Sequence, residues 1–458
     1  GTIKYNNTGN TNYNTAAIII TTNSTTLTLG KEDGNVSITN PEIIGSRYGI
    51  NNEGNGTFNF YDGIIKGKTA INGNLSAKEK GYEVITTEEN EIETAILGNL
   101  PVAKIGEKEY YTFQEAFDAC PSDGTETTLE VLRNWTTDMA NIIEKNKNIV
   151  LDIQSYKIVS GIENLFTNNG KFKIVDSIGN GRIISAKGTI LKNEETGNFA
   201  INNITMQMTG SSAIDETIEN KGMLEVTGGV IISDGLKNKC INNIEQGTVK
   251  ITGGTVSAYT YAIYNTSSNK IEIEGGTVQA TYYYEGYSAI YNNTENGVVE
   301  IKGGLVTNQG KAIENKKGTI KVTGGEIRTT QGDTRYSECG IYNNGKVIIE
   351  DGKVAALYRG SGIQNEGGTI EITGGTVSAP EWYNSIINRG TLEISGGTIK
   401  SNEKGIYNNS TLKMTGGTVE VQEPNYTALE CGGGTATIEG GTIKYNNTGN
   451  TNYNTAAI

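Results

Sequence analysis

The sequence predicts an all-β chain, a parallel β-solenoid of about 23–24 residues per coil with a short capping helix at its N-terminal end. Three observations carry this reading. The first eighteen residues, GTIKYNNTGNTNYNTAAI, return unchanged at Gly441–Ile458, so the 458 residues span one period of 440 (441 − 1) plus an overlap. Inside that long period a phrase G-T-(I/V)-x-(I/V)-x-G-G-T-(I/V) recurs, as in GTVKITGGTV, GTIEITGGTV and GTLEISGGTI. A second phrase keeps step with it: small residue, Ile, any residue, Asn.

The second glycine of each GG pair, or of Asp351-Gly352, falls at positions 229, 254, 276, 304, 325, 352, 375, 397, 417 and 441, a mean spacing of about 23.6, (441 − 229)/9. The asparagines of the second phrase are Asn220, Asn243, Asn265, Asn292, Asn315, Asn343, Asn365, Asn388 and Asn408, spaced by about 23.5, (408 − 220)/8. Two landmarks with one period near the length of a solenoid coil establish the repeat. Each phrase alternates as a strand does. In GTVKIT, Val249 and Ile251 point inward while Thr248, Lys250 and Thr252 face water. Gly253-Gly254 then bends the chain where a Cβ would be crowded or φ must be positive. One coil therefore supplies two or three strands, and stacked coils ~4.8 Å apart enclose a thin core. A thin core explains a hydrophobic fraction of only 35% and a count of 61 Gly against 5 Pro. The recurrent Asn reads as an interior ladder, each amide bonded to its equivalents in the coils above and below. It also reads as a turn former tolerant of left-handed backbone, and both can hold.

Along the chain, residues 1–77 continue the pattern through GNVSITNPEIIGSRYGINN and GTFNFYDGIIKG, as the C-terminal coils of one solenoid unit. Over 78–111 the GG pattern vanishes and TTEENEIET is acidic, so a linker between units is expected there. Residues 112–124 predict a capping helix and turn. Thr112 and Glu115 form a capping box. Phe113, Ala116, Phe117 and Cys120 make one apolar helical face, and Pro121 ends it. Such a helix covers the open end of a solenoid core, the plainer alternative being a linker helix. Residues 125–458 form the solenoid of the next unit, with a blurrier pattern over 148–217. Because Ile458 is equivalent to Ile18, a longer array would continue after Ile458 with the segment that starts at Ile19, and the solenoid runs on through the equivalent of 77.

The segments VAKIGEKEYYTFQEAFDAC, TLEVLRNW and KNIVLDIQSYKIVSG, followed by the GGT(I/V) coils, resemble the pectin-lyase-like right-handed parallel β-helix modules of large bacterial cell-surface, adhesin-type repeat proteins. The resemblance covers essentially the whole chain. It implies right-handed coils and a secreted bacterial protein of tandem modules, structural or adhesive. No activity is implied.

Chemistry is scarce. The chain has no His, which removes the commonest general base, metal ligand and pH switch. A net charge of −13 argues against nucleic acid or an anionic membrane as partner. Cys120, Cys240, Cys339 and Cys431 are scattered without a CxxC pair and read as small buried apolar residues rather than zinc ligands. No apolar run approaches the ~18 residues of a membrane span. Pectate lyases and polygalacturonases share this fold, but the hydrolases need paired carboxylates, usually beside a His. The lyases need clustered Asp for calcium and an Arg base. Asp333 with Arg335 is the nearest approach, and one such pair reads as a surface ion pair. The calcium-binding GGxGxD nonapeptide is absent. Thr255, Thr277, Thr376, Thr398, Thr418 and Thr442 follow GG bends, but Lys400, Glu420 and Lys444 beside them spoil a flat ice-binding face. A non-catalytic protein without metal or cofactor is expected.

From each Asn to the next GG the distance is 9 to 12 residues, whereas from GG to the next Asn it varies from 11 to 18. Insertions thus collect on one side, often the binding side of a repeat protein. They are rich in rings: Tyr259, Tyr261, Tyr282, Tyr283, Tyr284, Tyr287, Tyr336, Tyr358, Trp382 and Tyr383. These rings either shield loop backbone or form a contact surface for sugar or protein. The expected function is a structural repeat unit of an extracellular bacterial fibre or surface filament, whose partners are identical units end to end. The alternative is an adhesin holding a glycan or a host surface protein through the aromatic face.

Overall fold

A computed structural model describes residues 2–4, 15–32, 36–79, 82–137, 139–210, 216–236, 238–282, 287–330, 338–380, 382–422 and 426–445. The chain is nearly all β and forms two compact units, Gly1–Ala103 with Glu109–Glu115 and Lys104–Lys108 with Ala116–Ile458. Both are parallel β-solenoids, with about 17 coils in all.

In some coils of the larger unit the strands merge into longer ones such as Lys311–Thr329, but most coils carry three short strands. In one coil these are Lys239–Asn243, Thr248–Ile251 and Thr255–Ala258; in the next they are Tyr261–Asn265, Ile271–Ile273 and Thr277–Ala280. Equivalent strands pair in parallel with Ile241 opposite Ile263, Val249 opposite Ile271 and Val256 opposite Val278. The alternation of the phrase sends every second residue inward, and β-branched side chains suit the pleated wall. The result is a column such as Ile218, Ile241, Ile263, Ile290, Ile313, Ile341 and Ile363, all fully buried. The bend at GG is a backbone requirement. Gly276 has φ +73°, and a Cβ there would stand 2.6 Å from the carbonyl oxygen of Gly254 in the preceding coil. Only glycine lets successive coils approach so closely.

At the front of this solenoid stands the helix Phe113–Ala119. The backbone N–H of Thr112 donates to Glu115 Oε2 at 3.2 Å, and that of Glu115 donates to Thr112 Oγ1 at 3.1 Å. Phe113, Ala116, Phe117 and Cys120 are all buried. Phe117 packs edge-on against Phe172 at 5.8 Å, and Phe172 continues to Phe199 at 5.7 Å in the following coil. Lys147 Nζ donates to the carbonyls of Asp118 and Cys120 at 2.8 and 2.6 Å, which satisfies the helix's last acceptors. The helix thereby covers the first coils' core.

In the smaller unit three parallel sheets repeat the same design. Their strands are Ala16–Ile19, Tyr48–Asn51 and Thr69–Asn72; Thr26–Leu29, Thr57–Phe60 and Ala77–Lys78; and Thr2–Lys4, Glu42–Ile44 and Ile64–Gly67. Ile43, Ile50, Phe58, Phe60 and Ile65 fill its core. The segment expected to link units is structured in part: Glu83–Glu89 and Ile92–Gly98 form an antiparallel hairpin, and its second strand lies antiparallel on Ile64–Gly67. Ala95 and Leu97 close the end of the core. The physical reason is local. Asn90 and Glu91 both adopt left-handed backbone, φ +53° and +63°, the two-residue turn whose twist suits a hairpin. The acidic outer face, Glu88 and Glu89, hides the alternation of EVITTEE and IETAILG.

Candidate functional site: asparagine ladder and aromatic corner

In eleven successive coils the first strand ends on an inward asparagine, two residues after a buried apolar side chain. Asn220, Asn243, Asn265, Asn292, Asn315, Asn343, Asn365, Asn388 and Asn408 are each fully buried. Side-chain Nδ2 of each donates to Oδ1 of the next at 2.7 to 2.9 Å, from Asn220 through to Asn408. Two members escaped sequence reasoning. Asn168 Nδ2 donates to Asn193 Oδ1 at 2.8 Å, and Asn193 to Asn220 at 2.7 Å. Their phrases, NLFTN and TILKN, carry Leu165 and Ile190 where later coils have a small residue, so they do not fit the phrase. Apolar pair, any residue, Asn would have found both.

The second N–H of the amide is also used. Asn220 donates to Thr248 O at 3.0 Å, Asn292 to Lys317 O at 2.8 Å and Asn388 to Thr411 O at 2.9 Å. Several Oδ1 atoms accept a backbone N–H as well, Gly345 to Asn343 at 3.1 Å among them. Every member therefore ties its own coil to the next and braces the adjoining bend. Buried amides satisfied on all sides stabilise the interior, whereas each unpaired one would cost about 1–3 kcal/mol.

Insertions fall between the third strand of one coil and the first of the next, and the rings gather at that corner. Tyr259 and Tyr282 lie 4.7 Å apart, Tyr282 and Tyr287 5.5 Å, and Tyr261 and Tyr287 5.2 Å. Tyr264 and Tyr291, which the sequence pattern assigned to the Asn phrase alone, complete the group by stacking at 4.8 Å. Lys239 Nζ sits 4.2 Å from the ring centroid of Tyr264. These rings are half-buried against one another. Burial, and then the nearby Glu314 carboxylate, pushes the Tyr261 phenol upward from its usual range. Tyr358 and Trp382 differ, being 72% and 71% exposed, while Tyr383 is half-buried. Trp382 holds left-handed backbone, φ +73°, and its backbone N–H donates to Oε2 of the buried Glu403 at 2.8 Å. Tyr283, Tyr284 and Tyr336 lie outside the described residues, as do Asp333 and Arg335.

Two further groups bear on chemistry. Cys240 and Cys339 are buried, and burial pushes both thiols well above their ordinary range, which favours the protonated form; Cys431 is exposed. On the outer face of the middle strands Lys270 donates to Glu272 at 2.7 Å and Lys302 bridges Glu272 and Glu274. Hydrogen bonds from Lys270 and then Lys302 pull the Glu272 carboxyl down to about 2. The class these features define is a parallel β-solenoid with an internal amide ladder. No family model, curated protein or solved structure matches the chain.

Proposed function

We propose that this chain is a structural repeat unit of an extracellular bacterial fibre or surface filament, built end to end from identical units and without catalytic activity. The observation that carries the reading is the unbroken amide ladder through eleven coils, from Asn168 to Asn408, in a sequence whose first eighteen residues return 440 positions later. A ladder of this kind couples each coil to its neighbours and resists bending, which suits a rod more than a binding cleft. The resemblance to pectin-lyase-like modules of adhesin-type surface proteins supports the same reading and suggests the location. Electron microscopy of the secreted full-length protein is the test. A rod with a uniform axial repeat is expected, and isolated compact particles would overturn the proposal.

A second reading is favoured by one observation: Tyr358 and Trp382 project into solvent rather than packing on neighbouring rings. Exposed flat rings stack on sugars or on protein at little entropic cost. In that reading the filament is also an adhesin. A glycan array probed with the Tyr358→Ala and Trp382→Ala variants separates the two readings, because a purely structural unit gives no ring-dependent signal.

A further inference from the structure

The larger unit ends, among the described residues, on the strand Thr435–Tyr445, which pairs on one side with Thr411–Val421. Its inward residues are uncovered on the other side. Ile438 is 41% exposed, whereas Met414, its register partner, is 1% exposed. The smaller unit is open in the opposite sense. Ile3 is 49% exposed, while its register partner Ile43 is fully buried. Residues 1–18 and 441–458 are identical, so Ile3 and Ile443 are one core position seen from its two sides. Val419 covers it on one side and Ile43 on the other.

We propose that the free edge of Thr435–Tyr445 is a docking edge for a second copy of residues 19–98, supplied by the following repeat. Sequence identity fixes the register: Thr442 opposite the incoming Glu42, Ile443 opposite Ile43 and Lys444 opposite Ile44. The incoming segment carries its own ending. Glu42–Ile44 pairs in parallel with Ile64–Gly67, and the antiparallel hairpin then lies on Ile64–Gly67. Ala95 and Leu97 of the hairpin cover the core of that last coil, and its outer strand Glu83–Glu89 presents an exposed, charged edge that discourages further pairing, so each completed solenoid is closed by the helix Phe113–Ala119 in front and by the hairpin behind. The array is therefore a chain of separately closed solenoids, not one sheet running through all repeats. This rests on the tandem-repeat reading and adds where one solenoid stops.

Cys431 reports on the docking. It stands in register with Asn408, which is fully buried, yet it is itself exposed. In the incoming copy Ile20 follows Ile18 by two residues, as Asn52 follows Ile50, and so covers that position. The test compares the 458-residue chain with one carried on through the next repeat to its Pro101, which adds no cysteine. In the shorter chain a maleimide labels Cys431 quickly and the buried Cys120, Cys240 and Cys339 slowly. In the longer chain Cys431 labelling slows at least about tenfold, and the amides of residues 443–445 gain about a hundredfold protection from hydrogen exchange. Equal labelling rates or unchanged exchange overturn the proposal. So does rapid labelling of all four thiols in the longer chain, which means that the added residues disrupt the solenoid rather than close it. Microscopy of filaments is a separate matter, since a rod held by other contacts keeps its axial repeat even if this edge stays free.

Discussion

Replacing Asn315 by Leu keeps the side-chain volume but removes a rung from the middle of the ladder. Asn315 Oδ1 accepts from Asn292 at 2.9 Å, and its Nδ2 donates to Asn343 at 2.8 Å and to Lys346 O at 3.2 Å. After the substitution Asn292 keeps its bond to Lys317 O but loses a partner for its other N–H. Asn343 Oδ1 keeps the N–H of Gly345 and loses one of two donors. One stranded donor and one half-satisfied acceptor, at about 1–3 kcal/mol for a fully stranded group, give a loss of about 2–5 kcal/mol. Solenoid stability sums over neighbouring coils, so the loss is confined to the coils that contain Asn292, Asn315 and Asn343. Hydrogen exchange reads it directly, since every 1.4 kcal/mol is tenfold: amides there exchange about thirtyfold to a few thousandfold faster. Coils around Asn220 are unchanged. Asn408→Leu serves as the control, because that end rung strands only the donor of Asn388. Unchanged protection around Asn315 would refute the reasoning and leave these residues as turn formers alone.

Gly276→Ala destabilises by at least about 1–2 kcal/mol from its left-handed backbone alone, before the contact with Gly254 O is counted. Gly161→Ala, with nothing within 4 Å of the new Cβ, leaves the urea midpoint unmoved. Glu272 is held near 2 against an ordinary 4.5, so its ion pairs contribute stability that is present above about pH 4.5 and is lost as pH falls through about 2. Glu272→Gln flattens this acid dependence in a denaturation series, and an unaltered pH profile would count against the pairing. Tyr358→Ala and Trp382→Ala change unfolding by no more than about 0.5 kcal/mol, whereas Tyr261→Ala, at the centre of the ring cluster, costs about 1–3 kcal/mol by the same assay.

The coil architecture was legible because two phrases repeat it many times, and a repeated inward Ile at fixed spacing admits only one wall of a solenoid. The second glycine of each GG pair has positive φ wherever the spacing placed it, from Gly229 to Gly441. The hairpin over 83–98 occurs once in the period, so no repetition amplified it, and its outward glutamates resembled a solvated linker. Asn168 and Asn193 were overlooked because Phe166 and Leu191 stand where later coils have Ile, and Leu165 and Ile190 replace the small residue of the phrase. The joining of Tyr264 and Tyr291 to the corner rings was hidden for another reason. Register alone, not spacing along the chain, brings an outward strand residue beside an inserted loop.

The ladder also explains where polar residues stop. All its side-chain bonds point the same way, with Nδ2 donating toward the C-terminal coil, so the bonds polarise one another in series. A chain of this polarity has an unused acceptor at one end and an unused donor at the other. At the front, Asn168 Oδ1 accepts the N–H of Gly170 at 3.1 Å; at the rear, Asn408 Nδ2 donates to Ser410 O at 3.1 Å. Beyond each end the column turns apolar, to Ile143 before Asn168 and to Cys431 after Asn408. A twelfth asparagine at 431 would need a partner in the following coil, where the proposed docking supplies Ile20. The run of asparagines therefore ends inside the larger unit, each end rung being answered by the backbone of its own turn rather than by a further amide. A ladder extended to the joint would make the fit of one repeat to the next depend on buried polar pairing, at a penalty of about 1–3 kcal/mol for each missed bond. In the proposed array an apolar joint would tolerate imperfect seating, which would favour faithful assembly of identical repeats.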